Sequence, residues 1–349
     1  MMEKFENILI VRTDRIGDVV LTMPSVKALR EAYPQARISI LVAPATRDLV
    51  DGNICLDEVL VDDRRREHKG LTGFLRLVAM IRRKRFDCAL VLHTKKRTNL
   101  TCFLAGVPVR IGYKNNKFGF LLTRPIADTR QKGEKHEAQY CLDVLKEIGV
   151  ISHDLDIDLP VKEDAVRWAE RVLIEHHVAE SDRLVAIHPG ASDPAKQWPE
   201  SRFLDLSNRL VEKYRAKIIM IGAADIKEIS GTIVSGVKGD VIDLTGRTTV
   251  GQLAAVLMRC GLLVSNDSGP VHVAAGVGTP VVSIFTRNQP GINPERWRPL
   301  GENARVVSVC PSQSSGISFK KAQKPDTEYL ELITTEAVLE AVDSLYKLC

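Results

Sequence analysis

The chain has 349 residues, of which 44% are hydrophobic, and a formal net charge of +5, as expected for a globular protein of about two domains. The basic excess is too small to indicate nucleic-acid binding, but it suits an anionic ligand or membrane surface. Seven scattered cysteines without a CxxC pair, an N-terminus too short and acidic for a signal peptide, and the lack of an 18-residue apolar run predict a cytoplasmic protein without a transmembrane helix.

Short apolar runs alternate with helical patterns along the first 150 residues. The runs are NILIV, RISILVA, DEVLVDD, DCALVLH and VRIGY, and PSVKALREAYP, GLTGFLRLVAMIRRKRF and TNLTCFLAG lie between them. This alternation predicts βαβ units and a mostly parallel sheet. The segment HEAQYCLDVLKEIGV is predicted to be a helix that closes this half and ends at Gly149.

A polar stretch with a proline, ISHDLDIDLPVKED, follows and is predicted to be a linker. The alternation restarts at RLVAIHPGA and continues to PVVSIFT, which predicts a second parallel α/β domain. We therefore expect domains at 1–160 and 161–325 and a C-terminal helix within 326–349, for which packing back on the first domain is one option. Two doubly wound domains place ligand sites at the carboxyl ends of their strands, here expected to face an interdomain cleft.

The loop RTDRIGDVVLTMP, after the first strand, carries four charges around Gly17, namely Arg12, Asp14, Arg15 and Asp18. The glycine allows close backbone approach, and the helix that follows offers free N–H groups to an anion. Asp18 is a candidate catalytic carboxylate, but a helix N-cap explains it equally well. The GxGxxG fingerprint is absent, so the loop does not indicate a dinucleotide site.

Two loops of the second domain suit a diphosphate. In HPGASDPAKQWPESRF, Lys196 follows a strand and could neutralise a phosphate, although a solvated lysine is the commoner case. In SNDSGPVHVAAGVGTP, Ser268 and Gly269 turn the chain into a small, apolar helix whose N-terminus suits a pyrophosphate. His272, one turn further on, is either a phosphate ligand or a core histidine. Asp267 is either a site residue or a capping carboxylate.

Two further groups of charged residues remain open to two interpretations. In IGAADIKEIS, Asp225 or Glu228 could bind ribose hydroxyls, or the pair could form a capping box. The basic runs at 64–66, 82–85 and 95–97 usually indicate a solvated face. Because Lys95, Lys96 and Arg97 follow a strand, they are the better candidates for contact with an anionic acceptor.

These loops resemble those of the ADP-heptose:lipopolysaccharide heptosyltransferases, glycosyltransferase family 9. The matching segments are ILIVRTDRIGDVVLTMPSVKALR at 8–30, HPGASDPAKQWPESRF at 188–203 and SNDSGPVHVAAGVGTPVVSIF at 265–285. The resemblance extends over nearly the whole chain, and three motifs in the same order make it specific. It implies an α/β fold of the GT-B type, with two Rossmann-like doubly wound parallel-sheet domains. It also implies inverting transfer of a heptose from ADP-L-glycero-D-manno-heptose to the lipopolysaccharide inner core.

The resemblance also implies roles for individual residues. Asp18 matches the family's catalytic aspartate, and Lys196 matches its lysine near the donor phosphates. The family's donor loop corresponds to Asp267, Ser268, Gly269 and His272, with serine where the family often has threonine. Its ribose-binding glutamate has no clear counterpart, so Asp225 and Glu228 remain candidates. The segment TRNQPGINPERW after SIF departs from the family pattern.

The implied partners are ADP-heptose, a lipopolysaccharide core of the lipid A–Kdo type, and the cytoplasmic face of the inner membrane as a peripheral contact. Arg12 and Arg15 are candidates to contact the anionic acceptor. No cofactor is expected to be required and no metal site is predicted, although stimulation by Mg²⁺ stays open. The alternatives are a relative that uses another sugar nucleotide or acceptor, a sugar-nucleotide epimerase, and a non-catalytic nucleotide-sugar-binding protein.

Overall fold

A computed structural model describes residues 3–309 and 332–346. The chain divides between Pro160 and Val161 into two compact units, which we call the first unit (residues 1–160) and the second unit (residues 161–349). The predicted boundary at 325 and the start of the terminal segment lie outside the described residues.

The first unit is a six-stranded parallel sheet with helices between its strands. Its strands lie in the order β3-β2-β1-β4-β5-β6. Its elements are β1 (Asn7–Val11), α1 (Ile16–Val20), α2 (Met23–Ala32), β2 (Arg37–Val42), β3 (Glu58–Val61), α3 (Gly70–Lys84), β4 (Cys88–Val91), α4 (Lys96–Leu104), β5 (Val109–Tyr113), β6 (Arg124–Ile126) and α5 (Glu137–Leu145).

The second unit repeats this architecture. Its strands lie in the order β12-β11-β10-β7-β8-β9, all parallel. Its elements are α6 (Glu163–Glu175), β7 (Leu184–His188), α7 (Glu200–Tyr214), β8 (Lys217–Met220), α8 (Lys227–Gly236), β9 (Val241–Asp243), α9 (Val250–Arg259), β10 (Leu262–Asn266), α10 (Gly269–Gly276), β11 (Val281–Phe285), α11 (Pro294–Trp297), β12 (Ala304–Ser308) and α12 (Thr335–Tyr346).

Both sheets have the same winding when each is counted from its own first strand. That order is 3-2-1-4-5-6, the order of the Rossmann fold. The strand order reverses between β1 and β4 in the first unit and between β7 and β10 in the second. The predicted α/β architecture of two doubly wound parallel sheets is confirmed, and ligands of such sheets bind at these reversal points.

The sequence forms these strands because their apolar, β-branched runs are covered on both faces. Residues 8–11 of β1, ILIV, are buried, and so is the whole of β7, β10 and β11. Near-continuous apolar runs are typical of parallel strands with helices on both faces. The polar residues that follow β1, β4, β7 and β10 therefore all stand at the carboxyl edges of the sheets.

Helix α12 belongs to the core of the second unit. Its residues Val338, Val342 and Leu345 are buried in the apolar cluster that also contains Phe203 of α7 and Ile284 of β11. The 338, 342, 345 spacing places the three side chains on one helical face. This apolar face of the terminal helix is therefore filled within the second unit, and the option that the helix packs on the first domain stays a prediction.

Candidate active site

The first reversal point contains Asp18. This residue lies in the first turn of α1, whereas Arg15 is the N-cap and makes no side-chain cap. The Asp18 carboxylate instead accepts a hydrogen bond from Arg12 Nη2 at 2.6 Å. The N-cap interpretation of Asp18 is therefore not supported.

Arg12 stands at the centre of a buried cluster of charges. It is only 1% exposed. Its Nη2 also donates to Glu137 Oε1 at 2.9 Å, and its Nε lies 3.1 Å from Asp14 Oδ1. Nη1 donates to the carbonyl of Leu92, just beyond β4, at 2.8 Å. The Arg12 guanidinium thus contacts three carboxylates, those of Asp14, Asp18 and Glu137.

The electrostatics of this cluster favour a proton acceptor. Burial is the largest influence on Asp18 and raises the pKa of its carboxyl group. Arg12 opposes this shift, while the negative charges of Asp14 and Glu137 add to it. A carboxylate with a raised pKa is a better general base near neutral pH than an ordinary aspartate.

A neutral histidine and a half-buried lysine follow β4 at the same edge. His93 Nδ1 donates to the carbonyl of Val11 at 3.2 Å, and its Nε2 lies 3.3 Å from the Thr13 hydroxyl. Burial, with help from Arg12 and Lys95, lowers the pKa of His93 well below its usual range, so this ring stays neutral. Lys95 Nζ donates to the carbonyl of Thr13 at 3.0 Å. Burial lowers the pKa of Lys95.

The residues predicted to bind an acceptor fall into two groups in the structure, those used in contacts inside the protein and those that reach the surface. The prediction for Arg12 is wrong, because its guanidinium is buried and used inside the protein. Arg97 is also committed internally, since its Nε and Nη2 both lie 2.8 Å from oxygens of the buried Asp62. Arg15 and Lys96 are exposed, and Lys95 is partly exposed. These three side chains therefore reach the surface of the first unit.

The second reversal point brings together Lys196 and Asp267, which are 71 residues apart in sequence. Lys196 ends the short 3₁₀ helix Pro194–Lys196, beyond β7, and Asp267 directly follows β10. Their side chains form an ion pair in which both are mostly buried. The structure therefore contradicts both a solvated Lys196 and a capping Asp267.

The N-terminus of α10 is free of side-chain caps. Ser268 is the N-cap residue, but its hydroxyl lies 3.1 Å from His188 Nδ1 and 3.0 Å from Ser265 Oγ. Burial lowers the pKa of His188 to about 4, so it is neutral at physiological pH. Gly269 starts the helix, and His272 is buried in its first turn. The arrangement leaves the helix N-terminus to an anion from outside.

Asp225 and Glu228 are both exposed beyond β8, the neighbour of β7 in the sheet. Helix α8 begins after Ile226 without a side-chain cap, so the capping-box alternative is not found. The charge of Asp225 acts on His188, where it opposes the effect of burial on the pKa. Of the two carboxylates, this coupling favours Asp225 as the one nearer the reversal point.

The side chains that hold the Lys196 loop in place were not predicted from the sequence. Asp193 caps the 3₁₀ helix by accepting from Ala195 N at 3.1 Å, and it accepts from Arg287 Nη1 at 2.8 Å. Thr286 donates to the carbonyl of Ala195 at 2.7 Å. Thr286 and Arg287 directly follow β11, which β10 separates from β7 in the sheet. The loop after β7 is thus held in place from a strand that is not its neighbour. The Asp-Pro pair at 193 was the available signal, because it is typical of a capped turn.

Neither a metal cluster nor a membrane span is found among the described residues. Residues 3–309 and 332–346 contain no group of three or more His, Cys, Asp or Glu side chains placed to hold a metal ion. Within the same ranges, no helix combines the length and the apolar character needed to cross a bilayer.

Two Rossmann-like units with chemistry at both reversal points define the class of protein, a glycosyltransferase of the GT-B type. The chain belongs to glycosyltransferase family 9 (heptosyltransferase), whose family profile matches residues 74–327. The family expected from the three sequence motifs is thereby confirmed.

Similar proteins span the whole chain. Lipopolysaccharide heptosyltransferase 2 of Salmonella typhimurium is 26% identical over 97% of this chain and 98% of its own length. Lipopolysaccharide heptosyltransferase 3 of Escherichia coli is 24% identical over 94% of this chain and 95% of its own. The crystal structure of a family 9 glycosyltransferase from Veillonella parvula matches with a TM-score of 0.88 and 25% identity, covering 100% of this chain and 99% of that one.

Proposed function

We propose that the protein transfers a heptosyl group, with inversion, from ADP-L-glycero-D-manno-heptose to a sugar of the lipopolysaccharide inner core. The observation that carries the proposal is the pairing of chemistries at the two reversal points. The first holds the desolvated carboxylate of Asp18, and the second holds the Lys196–Asp267 pair beside the uncapped N-terminus of α10. The names of the similar heptosyltransferases support a heptosyl group as the group transferred.

In the proposed reaction Asp18 is the general base. Its carboxylate accepts the proton of an acceptor hydroxyl, and that oxygen forms a bond to the anomeric carbon of the heptose. The bond between the anomeric carbon and the β-phosphate oxygen breaks, and ADP leaves with the electron pair. Arg12 holds Asp18 in place through the 2.6 Å hydrogen bond.

The second unit supplies the stabilisation of the leaving ADP. Lys196 has three N–H donors, so it can bind a phosphate oxygen while it keeps Asp267. The N–H groups of the first turn of α10, the hydroxyl of Ser268 and the imidazole of His272 are the further proposed contacts. Asp225, with Glu228 as the alternative, would accept from the ribose hydroxyls.

These groups offer the diphosphate one ammonium group and several hydrogen-bond donors, and we propose that no metal ion is required in addition. Turnover with EDTA present is therefore expected to equal turnover without it. Loss of activity in EDTA that added Mg²⁺ restores would contradict this part of the proposal.

We propose an acceptor of the lipid A–Kdo type, contacted by Arg15, Lys95 and Lys96. Such an acceptor is anionic and anchored in a membrane leaflet, which implies peripheral contact with the cytoplasmic face of the inner membrane. Relatives named for the second and the third core heptose match this chain at similar identity, so the position of the accepting sugar is left to experiment.

The test is ADP release from ADP-heptose with and without a truncated core acceptor. The proposal requires release that depends on the acceptor, together with a product enlarged by one heptose. An epimerase would change the donor sugar without any acceptor, and a silent binding protein would bind ADP but release none from the donor. Either outcome would contradict the proposal.

A further inference from the structure

Charge is distributed very unevenly along the chain. Residues 64–122 carry fifteen lysines and arginines against two acidic residues, whereas the rest of the chain carries 34 basic and 42 acidic residues. The net charge of +5 therefore hides one strongly basic segment in an otherwise acidic protein. Such a segment is an electrostatic complement for a polyanionic surface.

The same segment exposes large apolar side chains. Leu71 and Leu75, one turn apart on α3, are 73% and 52% exposed, and Phe120 is 79% exposed. The same segment also exposes basic residues, among them Lys69, Arg76 and Lys117. We refer to these six residues as the basic–apolar face.

The elements that carry this face are packed side by side. Phe74 of α3 lies under Arg97 of α4, whose guanidinium carbon is 5.1 Å from the ring centroid. Lys96 of α4 lies 5.7 Å from the ring centroid of Phe118, and Phe118 is 5.8 Å from Phe120. These contacts agree with the packing of α3 against α4 and of α4 against the loop after β5, which places the three elements side by side.

This surface borders the edge of the sheet that holds Asp18. Helices α3 and α4 begin after the carboxyl ends of β3 and β4, and Lys95 immediately precedes α4. Leu71 and Lys96 lie in the first turns of these helices. Contact of the face with another body would therefore bring that body close to the carboxyl edge of the first unit.

We propose that the basic–apolar face docks on the surface of an anionic phospholipid bilayer. Leucine and phenylalanine side chains enter the boundary between headgroups and acyl chains, while lysine and arginine meet the lipid phosphates. The combination decides against a polar polyanion, which would leave the exposed leucines and Phe120 unused. The inference deepens the proposed function, on which it rests for its biological role, because a lipid-anchored acceptor would be presented at the docked edge.

The test is co-sedimentation of the full chain with vesicles of phosphatidylethanolamine and phosphatidylglycerol, and with vesicles of phosphatidylcholine alone. Binding is expected to the anionic vesicles only. Leu71→Ser with Leu75→Ser is expected to weaken it by about tenfold or more, the effect of losing buried leucine surface. Ile174→Ser is the matched control, since Ile174 is an exposed aliphatic residue of α6, 70% exposed, and belongs to the second unit rather than to the basic–apolar face.

The contribution of charge has its own matched pair. Arg76→Glu on α3 is expected to weaken binding severalfold, and the loss should shrink in high salt. Arg171→Glu, at an exposed position of α6, is expected to leave binding unchanged. Equal losses in both variants, or no binding of the unmodified chain to anionic vesicles, would overturn the proposal.

Two further measurements distinguish bilayer docking from a protein–protein interface and from a failure of the proposed function. If Leu71→Ser with Leu75→Ser dissociated an oligomer and left vesicle binding intact, the face would be a protein interface and the proposal would fail. ADP release with a deacylated, water-soluble acceptor should be unchanged in all these variants. Absence of that release in the unmodified chain would count against the proposed function, whereas the vesicle result would still decide the docking.

Discussion

The two reversal points share a topology and differ in their charge balance. Both sheets wind in the order 3-2-1-4-5-6, so the chain makes the same kind of ligand crevice twice. In the first, one guanidinium is shared by Asp14, Asp18 and Glu137. In the second, Lys196 forms an ion pair with Asp267 beside a helix N-terminus. The shared fold sets where each site lies, and the different side chains at the two edges are the basis for proposing a proton acceptor at the first and a diphosphate site at the second.

The replacement Asp18→Asn is expected to have the largest effect on the first reversal point. Asparagine keeps the size of the side chain but cannot accept a proton from the acceptor. We expect kcat to fall by roughly 10²–10⁴-fold, the usual contribution of a general base, with ADP binding unchanged. Steady-state kinetics and ADP titration measure the two quantities. A fall of less than about tenfold would remove Asp18 from the role of base.

A stability measurement controls for misfolding in this variant. Because the pKa of Asp18 is raised in the folded chain, the ionised carboxylate destabilises the fold at pH values above its unfolded pKa of about 3.9. Asp18→Asn removes that cost. Its Tm is therefore expected to exceed that of the unmodified chain by a margin that grows between the unfolded pKa and the raised folded pKa and is constant above it, and the two should converge in acid. A lower Tm at neutral pH would show that the pair with Arg12 outweighs the burial of charge.

The replacement Lys196→Ala should have the next largest effect, on the second reversal point. It removes the ammonium group proposed to bind the leaving diphosphate and leaves Asp267 as an unpaired, mostly buried carboxylate. We expect kcat/KM for the donor to fall by about 10²-fold, as for loss of one charged contact in the transition state. Unchanged kcat and donor KM would exclude Lys196 from the site.

The variant Lys196→Ala with Asp267→Asn separates the two consequences. If the damage came only from the unpaired Asp267, the second change would restore activity. If Lys196 itself binds the diphosphate, donor kcat/KM stays low in the double variant. This comparison follows the logic of a double-mutant cycle.

The sequence predicts the architecture because local patterns determine it. Buried β-branched runs such as residues 8–11 alternate with helical patterns, and polar residues at strand ends fall on one edge of a parallel sheet. That rule predicted that Asp18, Lys196 and Asp267 follow the carboxyl ends of strands, without knowledge of any contact.

Pairing between side chains far apart in sequence could not be predicted in the same way. Arg12 and Glu137 are 125 residues apart, and only the packing of α5 against the first sheet brings them together. The same pattern that made Arg12 look like a surface anchor gives no sign of its burial. Arg287, which fastens the Lys196 loop through Asp193, was likewise not predictable, because its partner lies 94 residues away.

The replacement Glu137→Gln tests the charge balance itself and should act more gently. Glu137 does not take the proton in the proposed reaction, but its negative charge helps to raise the pKa of Asp18. Loss of this charge is expected to lower the pKa of Asp18 and so to move the acid limb of the pH profile of kcat/KM to lower pH. We expect kcat at neutral pH to fall by about threefold, because Asp18 becomes a weaker base. Asp14→Asn should move the limb in the same direction. An acid limb that stays in place or moves to higher pH would contradict the inference that the negative charges of Glu137 and Asp14 raise the pKa of Asp18.

The smallest effect is expected at Ser268, where the second reversal point offers a hydroxyl rather than a charge. The hydroxyl lies 3.1 Å from the neutral ring of His188, which holds it in place at the N-cap position of α10. Ser268→Ala should lower donor kcat/KM by about threefold to tenfold, the range for one hydrogen bond, and Ser268→Thr should retain it. Because the pKa of His188 is about 4, donor binding should not vary between pH 6 and 8 through this group. The contrary result would be a donor affinity that changes with pH near neutrality in the unmodified chain but not in His188→Asn. Donor binding at the second reversal point would then also depend on a proton, and the two reversal points would no longer differ in this respect.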